Sequence, residues 1–475
     1  PPLTSSDDFR EQFIYISTPK ANNVSYKIIP IGNSILPQYS GIVSNSNPVI
    51  QPILDENGDF DLDNDTQLHI NRTNLTGAKI TNKGFIIEAS DVIYVSVRVL
   101  TSSLNDSNPV HAGALVSKGN AALGKEFRVG AFVNEPNITN LHTAFVSMMA
   151  TEDNTTITFD NRLNGLNLPS GVPIPNNIIL DEAESYIIAI GGNGTDLRNL
   201  IGTLVSSDKN IVVNSGSSTG TFGPNSNAIG GQDYGFDQIV GADKIGNEYI
   251  LVKGDGFDSI ENVLIIAHEN NTQITINGNL ITNISAGEYY IAEGNLFSGK
   301  NNMYLNTSKN VFVYQGIGTA SLANQGLFFV PPLSCENKGD VNNIPEIDKV
   351  GDLTFKGGVT LVTNTGSTIL INEQPISNFN HIGPSPVIGN PNYVTYRVTG
   401  LFGNVKVASD NELYCAYFNE SGYATTGAFY SGFPSAPEIN FETTVASLGS
   451  CIPNVTLEAA NTEIFDRFEW QYFNE

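Results

Sequence analysis

Short hydrophobic stretches alternate with polar, Asn-rich turns along most of the chain, and apolar and polar residues alternate within each stretch. This period of two, together with frequent Val, Ile and Thr, predicts half-buried β-strands. Two such strands joined by a tight polar turn form a β-hairpin. The hairpin pattern occurs at residues 13–31 (FIYISTPKANNVSYKIIPI), 145–159 (FVSMMATEDNTTITF), 263–277 (VLIIAHENNTQITIN) and 359–372 (VTLVTNTGSTILIN).

A second recurring pattern is a Ser-Asp or Ser-Lys turn followed by a strand. It begins at Ser90, Ser207, Ser308 and Ser409. The steps between these serines are 117, 101 and 101 residues. GLFFVPP from Gly326 and GAFYSGFP from Gly427 are also 101 residues apart. The chain therefore contains four long repeats of about 100 to 120 residues, a scale that indicates an internally repeated fold.

The third repeat looks like a doublet, because EYILVKGDGF from Glu248 resembles EYYIAEGNLF from Glu288. Doubling every repeat gives about eight units of about four strands each, which is the scale of propeller blades. We therefore predict an all-β fold, a seven- or eight-bladed β-propeller of four-stranded units. The alternative is a row of four tandem β-sandwich modules. A ring would bring the first and last repeats together, and a row would keep them apart.

The repeat pattern ends near residue 437. We predict one repeat-containing domain over residues 1–437. Its repeats span about 1–123, 124–245, 246–345 and 346–437. Beyond it, Cys451 precedes Trp470, and a strand with Cys followed by a strand with Trp is how an immunoglobulin-like sandwich begins. Residues 438–475 are therefore predicted to be the start of a truncated Ig-like domain.

The chain is acidic and carries few charges for its length. Charged residues make up 15%, and the formal net charge is −25. An acidic surface repels phosphate backbones, so the composition argues against nucleic acid as a partner. No apolar stretch approaches the 18 residues of a membrane-spanning helix. The PPLTSSDDF beginning suggests a mature or trimmed start, and we expect a secreted protein.

The three cysteines, Cys335, Cys415 and Cys451, form no CxxC or zinc-like spacing. Because their number is odd, at least one is free or pairs outside this chain. We expect Cys451 to be unpaired here, since an Ig-type partner would lie further along the sequence. Cys335 and Cys415 can form a disulfide if their strands meet, which an oxidising surrounding permits.

We expect no catalytic centre. The histidines are His69, His111, His142, His268 and His381. No two of them have HxxxH or HExxH spacing, so neither a zinc site nor a general base is indicated. GSSTG at Gly216–Gly220 fits the G-x-S-x-G pattern of a serine hydrolase, but a loop-like sequence follows it where a helix is needed.

An acidic segment, DENGDFDLDND at residues 55–65, is the clearest candidate site. Oxygen ligands at alternate positions on a glycine-containing turn can surround Ca²⁺. The candidate ligands are Asp55, Asn57, Asp59, Asp61 and Asp63. The segment lacks the distal Glu of an EF-hand, and the alternative interpretation is a solvated acidic loop. Calcium is therefore the one cofactor that the sequence predicts.

Several of these strand motifs resemble a known family. EYILV, the NNTQITING hairpin, TSKNVFVYQG and GLFFVPPLSC resemble the N-terminal region of IgG-Fc-binding-protein-like domains, over roughly residues 1–440. GAFYSGFPSAPEI and the segment from CIPNVTLEA to FEWQYF look like the bacterial branch, found in large surface proteins of Bacteroidetes. There the region precedes Ig-like repeats and a sorting signal for type IX secretion. The antibody ligand in the family label maps to no residue here.

The resemblance implies an extracellular adhesin at the outer face of the cell surface, used for attachment or gliding motility. Its expected partners are an extracellular glycan or protein and the secretion or anchoring machinery, with neither nucleic acid nor a transmembrane segment. Two alternatives stay open. One is a secreted polysaccharide-active enzyme on a propeller scaffold, because fold alone does not exclude catalysis. The other is a structural cap or stalk that displays other domains.

Overall fold

In the computed structural model nearly all the regular secondary structure of the described residues is β-strand, organised as successive units of two antiparallel sheets. The structure describes residues 11–32, 38–54, 67–68, 76–101, 111–133, 143–168, 171–191, 194–222, 233–318, 325–334, 337, 339–421, 424–433, 438–442 and 456–460. Among these residues the single α-helix, α1, spans Gly194–Leu200, and five short 3₁₀ turns complete the non-strand elements. No helix in this described part is long and apolar enough to cross a membrane.

Four units of strands follow one another along the chain. Unit 1 contains β1 to β7, at Glu11–Ser17, Val24–Pro30, Tyr39–Val43, Val49–Pro52, Phe85–Ala89, Tyr94–Thr101 and His111–Val116. Unit 2 contains β8 to β14, at Gly124–Arg128, Thr143–Ala150, Thr155–Phe159, Asn177–Leu180, Ser185–Gly191, Leu204–Gly220 and Asp233–Ile239. Unit 3 contains β15 to β21, at Gly246–Val252, Val263–Ala267, Thr272–Ile276, Asn279–Ile284, Tyr289–Ala292, Asn302–Gly318 and Gln325–Phe329.

Unit 4 contains β22 to β32, at Asp340–Ile344, Lys349–Val350, Leu353–Thr354, Lys356–Asn364, Ile369–Ile371, Gln374–Pro375, Asn380–Pro386, Tyr393–Leu401, Val405–Ser409, Leu413–Glu420 and Thr425–Phe429. After the units, β33 (Glu438–Glu442) pairs antiparallel with β34 (Thr456–Ala460). Whether this hairpin begins an Ig-like sandwich stays a prediction.

Each unit has two sheets. We call the sheet that includes the unit's last strand the inner sheet and the other one the outer sheet. In unit 2 the inner sheet has the order β12-β9-β13-β14 and the outer sheet the order β11-β10-β13-β8. Units 1, 3 and 4 follow the same plan, with inner sheets β4-β1-β6-β7, β19-β16-β20-β21 and β28-β29-β25-β31-β32. The repeat predicted from sequence is therefore a two-sheet unit.

The long strands explain why the number of blades was predicted wrongly. β13 and β20 each run for 17 residues. Their first halves pair in the outer sheet and their second halves in the inner sheet. Because one strand belongs to both sheets, the two halves of a repeat cannot be separate blades. The doublet at Glu248 and Glu288 reflects two similar edge strands, β15 and β19, of the same unit.

Equivalent turns confirm the repeat at atomic detail. The turns between β9 and β10 and between β16 and β17 place Asn154 and Asn271 in the left-handed region, with φ of 54° and 59°. In each turn the next residue, Thr155 or Thr272, donates its hydroxyl to a glutamate carbonyl three residues earlier at 2.7 Å. Asn tolerates this conformation better than most residues, which accounts for the Asn-rich turns.

The four units close into a ring that resembles a four-bladed propeller, so seven or eight blades was wrong. The last strands β7, β14, β21 and β32 each contact the next, and β32 contacts β7. The strands approach closely because each carries a glycine here. A Cβ on Gly113 would lie 2.8 Å from Tyr234, and one on Gly235 would lie 2.7 Å from Leu327. The first and last units meet, as expected of a ring and not of a row.

Two buried carboxylates of unit 2 connect the units at this centre. Asp233 accepts backbone N–H groups of Ala112 in unit 1, at 2.6 Å, and Thr425 in unit 4, at 2.7 Å. Asp237 pairs with Lys118 and accepts the N–H of Phe329 in unit 3 at 3.1 Å. Burial raises the pKa of both carboxyls, and the nearby cationic groups oppose that shift. Both groups are enclosed, hydrogen-bonded parts of the core, consistent with a structural role.

Cys415 lies on β31, fully buried, as a free thiol. Burial raises its pKa. The structure therefore gives no support to a disulfide from Cys415, while Cys335 and Cys451 lie outside the described residues. A buried thiol with a raised pKa is a poor nucleophile and behaves as a small core residue.

Candidate functional site

The predicted calcium ligands Asp55, Asn57, Asp59, Asp61 and Asp63 all lie outside the described residues. Within the residues that the structure does describe, no group of three or more His, Cys, Asp and Glu is placed to hold a metal ion. The calcium site thus stays a prediction from sequence.

The described histidines occupy separate places. His111 lies at the ring centre beside Asp233. Its electrostatic effect lowers the pKa of the Asp233 carboxyl and so opposes the effect of burial. His268 approaches Glu126 at 3.3 Å at the boundary of units 2 and 3, and burial lowers its pKa. The Nδ1 of His381 lies 2.9 Å from the Phe379 carbonyl in unit 4.

The G-x-S-x-G segment does not form a nucleophile elbow. Ser217 and Ser218 are buried inside β13, where Ser217 pairs with Gly235 of β14 and Ala144 of β9. A nucleophile elbow needs the serine on a sharp turn between a strand and a helix. Here the extended strand continues through the segment to Gly220.

A groove of about 790 Å³ lies on the inner sheet of unit 4, where a loop of unit 3 reaches it. This volume lies within the range of about 300 to 1,000 Å³ that is usual for small-molecule sites. We call it the 3/4 groove. It is lined by Asp255, Asp348, Phe355, Lys356, Gly357, Asn378, Phe379, Asn380, Arg397, Thr399, Gly400, Leu401, Phe402, Phe418 and Glu420.

Arg397 forms the floor of the 3/4 groove. It lies on β29, and its guanidinium forms a bidentate ion pair with Asp255 of unit 3. The guanidinium carbon also lies 5.1 Å from the ring centroid of Phe418, in a cation–π contact. The Arg397 side chain is 9% exposed and the Asp255 side chain 45%, so the pair presents its carboxylate to the groove.

The loop that carries Asp255 is fixed by a buried glutamate. The Glu261 carboxylate accepts hydrogen bonds at 2.8 to 2.9 Å from the N–H groups of Gly254, Gly256 and Gly318. A Cβ on Gly254 would lie 2.5 Å from a Glu261 oxygen, so glycine is needed there. Burial raises the pKa of Glu261 to about 7, although the three N–H groups oppose the shift. The Asp255 wall of the groove is therefore preorganised.

Phe402 forms the rim, and this residue is 77% exposed. Two hydrogen bonds of the following residue fix the turn that carries Phe402. The next residue, Gly403, has φ of +65° and donates its N–H to the Asp348 carboxylate at 2.7 Å. The Gly403 carbonyl accepts the Ile347 N–H at 2.9 Å. The backbone of this turn is therefore fixed, and it presents an exposed aromatic ring whose face is available to a ligand.

Polar side chains line the rest of the groove. Asn380 donates to the Thr399 hydroxyl at 2.8 Å across β28 and β29. Lys356 and Glu420 face each other on β25 and β31, 3.8 Å apart. Burial raises the pKa of Glu420, Lys356 opposes this shift, and the Asp255 charge adds to it. The groove thus combines hydrogen-bonding groups, paired charges and an exposed ring.

Sequence reasoning missed this groove because its residues come from distant segments. Asp255 and Arg397 are 142 positions apart. The available signal was GDG at residues 254–256, which marks a tight turn with a charged tip. Nothing local indicates which strand that tip meets.

Comparisons with known proteins identify the family. Among curated proteins, none matches the sequence significantly. A solved anti-sigma factor domain-containing protein is 10% identical, over 56% of this chain and 94% of that chain. Its TM-score of 0.11 is too low for its fold to inform this one. The family model described as IgGFc binding protein matches residues 112–418, well over half of the sequence. The chain therefore belongs to the IgGFc binding protein family.

Proposed function

We propose that this chain is the ligand-binding module of an extracellular adhesin, and that the 3/4 groove is its binding site. The observation that carries the proposal is the preorganised groove, in which Phe402 is exposed and Asp255 is fixed by Arg397. The family description, that of a binding protein, supports a ligand-binding role. The ligand is a glycan or a protein outside the cell. Attachment, gliding motility and export by type IX secretion are roles that the sequence resemblance implies.

A binding panel with matched variants tests this proposal. The purified chain is presented with IgG Fc, with extracellular matrix proteins and with an oligosaccharide array. Phe402→Ala combined with Asp255→Asn should abolish binding of the ligand found. Phe257→Ala should leave it unchanged, because Phe257 is also exposed, at 54%, but does not line the groove. Equal binding by all variants would contradict the groove, and no ligand on any panel would contradict the binding role.

Polysaccharide hydrolysis is a second candidate function, favoured by one observation. Asp255 and Glu420 line the same groove, and the pKa of Glu420 is raised, as in a general acid. We place it second because Asp255 is already engaged by Arg397. Release of reducing ends from polysaccharides, lost in Glu420→Gln, would establish it. If the polysaccharide stays intact after prolonged incubation, hydrolysis is contradicted and binding is the remaining function.

Calcium binding at residues 55–65 is a separate proposal from sequence. Six closely spaced carboxylates, five of them aspartates, repel one another, and a cation would relieve that repulsion. We expect calcium to raise the melting temperature and a chelator to lower it, because calcium would bind the folded form. The response should disappear in Asp59→Ala combined with Asp61→Ala. Identical melting curves with calcium and chelator would mean a solvated acidic loop.

A further inference from the structure

We infer that the 3/4 groove takes a neutral oligosaccharide. The inference rests on the proposed function, which leaves the ligand as either a glycan or a protein. Three features of the groove support it: the balance of its charges, the chemistry of its exposed polar groups and the presentation of Phe402.

The carboxylates of the groove outnumber its cationic groups: the lining contains three acids, Asp255, Asp348 and Glu420, and two cations, Arg397 and Lys356. Arg397 pairs with Asp255, and Lys356 lies 3.8 Å from Glu420. The remaining acid of the lining, Asp348, accepts the Gly403 N–H. Both cationic side chains of the lining therefore have carboxylate partners, and no unpaired positive charge awaits a sulfate or carboxylate on a ligand. An anionic ligand therefore fits this groove poorly, and an uncharged one meets no like charge.

The exposed polar groups of the groove suit hydroxyl groups. Asn378 and Asn380 are exposed, and Thr399 is half-buried beside them. An amide side chain both donates and accepts hydrogen bonds, as a sugar hydroxyl does. The Asp255 and Glu420 carboxylates add strong acceptors for sugar hydroxyl donors.

The Phe402 ring provides an apolar platform beside these groups. A pyranose has a face of C–H groups, and an aromatic ring can cover such a face while polar neighbours bind the hydroxyls. Since Asp348 and Ile347 fix the turn through Gly403, the backbone that carries the ring is positioned before the ligand arrives. Binding therefore requires little further ordering of the rim.

An extended peptide fits less well. β28 is an edge strand of the inner sheet of unit 4 and borders the groove. Strand addition needs a regular row of backbone N–H groups, and β28 contains Pro384 and Pro386, which have none. Its register with β29 also shifts between Ile382 and Ser385. The edge is therefore poorly suited to pair with a peptide strand.

A glycan array followed by calorimetry tests the inference. The probes are neutral tetrasaccharides to hexasaccharides, with sialylated and sulfated oligosaccharides as the charged comparison. We expect neutral probes to bind, Phe402→Ala and Asn380→Ala each to lose at least about tenfold in affinity, and Phe402→Trp to retain it. Phe257→Ala is the matched control and should bind like the wild type.

The outcomes separate this inference from the proposed function. One outcome is that a protein still binds after its glycans are removed and that Phe402→Ala abolishes this binding. This result would contradict an oligosaccharide ligand and would keep the groove as the binding site. A preference for sulfated or sialylated probes overturns neutrality. Binding of neutral probes that is unchanged in Phe402→Ala and Asn380→Ala places the ligand elsewhere and overturns both. Absence of any ligand, glycan or protein, overturns the binding role itself.

Discussion

Two arginines lie at two boundaries of the ring, and their surroundings differ. At the boundary of units 1 and 4, Arg98 is completely buried and donates to three backbone carbonyls within residues 345–349, at 2.6 to 2.7 Å. Its guanidinium carbon lies 3.9 Å from the Tyr15 ring centroid and 4.9 Å from that of Tyr417. At the boundary of units 3 and 4, Arg397 instead meets the half-exposed carboxylate of Asp255.

The difference distinguishes a boundary that closes the ring from one that is open to a ligand. The Arg98 contacts use backbone carbonyls and aromatic faces, so they are sealed from water and leave no group to offer a partner. The Arg397 pair is anchored on one side and solvated on the other, as expected of a site that exchanges water for ligand. Arginine therefore closes the ring at one boundary, and at the other it holds a carboxylate that is exposed to a ligand.

The largest expected effect comes from breaking the closed boundary. Arg98→Met removes a fully buried donor that serves three backbone carbonyls, and we expect it to cost about 3 to 5 kcal/mol of unfolding free energy. Denaturant unfolding measures this loss. Lys27→Ala, in a pair with Glu88 that is more than half exposed on both sides, is the control and should change little. An Arg98 loss no larger than the control would mean that closure depends on other contacts.

The second largest effect is a pH dependence of the unfolding free energy, which we expect at the boundary of units 3 and 4 and not at that of units 1 and 4. Because the pKa of Glu261 is about 7 when folded and 4.5 is its ordinary value, the folded protein keeps a proton that the unfolded chain has released. The unfolding free energy should therefore fall by roughly 3 kcal/mol as pH rises from about 4.5 to about 7, and stay level above. Unfolding curves of the wild type and Glu261→Gln across this range give the difference.

The variant isolates Glu261 from other titrating carboxyls. Because glutamine does not titrate, the wild type should lose roughly 3 kcal/mol of unfolding free energy relative to Glu261→Gln as pH rises from about 4.5 to about 7. The Arg98 boundary should show no such change, because backbone carbonyls do not titrate in this range. A constant difference between wild type and Glu261→Gln would refute the raised pKa.

The smallest effect on stability is expected at the open boundary. Asp255→Asn should cost about 1 to 2 kcal/mol, less than Arg98→Met, because asparagine keeps one oxygen acceptor for the guanidinium and the Asp255 side of the pair is 45% exposed. The same substitution should weaken ligand binding at the groove, so the two measurements diverge. A stability loss as large as that of Arg98→Met would show that the pair is structural and would remove the distinction between the boundaries.

The sequence indicated the local structure well and the long-range structure only in part. Alternating stretches and the Asn-rich turns at Asn154 and Asn271 identified the strands and their repetition, because both depend on a few neighbouring residues. The blade count failed because a sheet change within one 17-residue strand leaves little trace in an apolar and polar pattern. Ser207 and Ser308 marked those sheet changes but were read as turns between strands.

The groove and the closing arginine could not be predicted for a different reason. Arg98 meets residues about 250 positions away, and Asp255 meets a strand 142 positions away. Such pairings follow from how four units pack around a centre, and single-sequence patterns do not encode that packing. The calcium prediction falls on residues outside the description and stays open to experiment.

The two sides of the boundary between units 1 and 4 are synthesised at different times. During synthesis, unit 1 is made first, yet the carbonyls that receive Arg98 lie about 250 residues later and the Tyr417 ring later still. Until those residues emerge, a charged guanidinium and the apolar faces of β1 and β7 have no permanent cover. Long-range contacts of this kind slow folding, and the partially folded species they leave are prone to aggregate. Closure by unit 4 therefore also covers the unit that is synthesised before the other three.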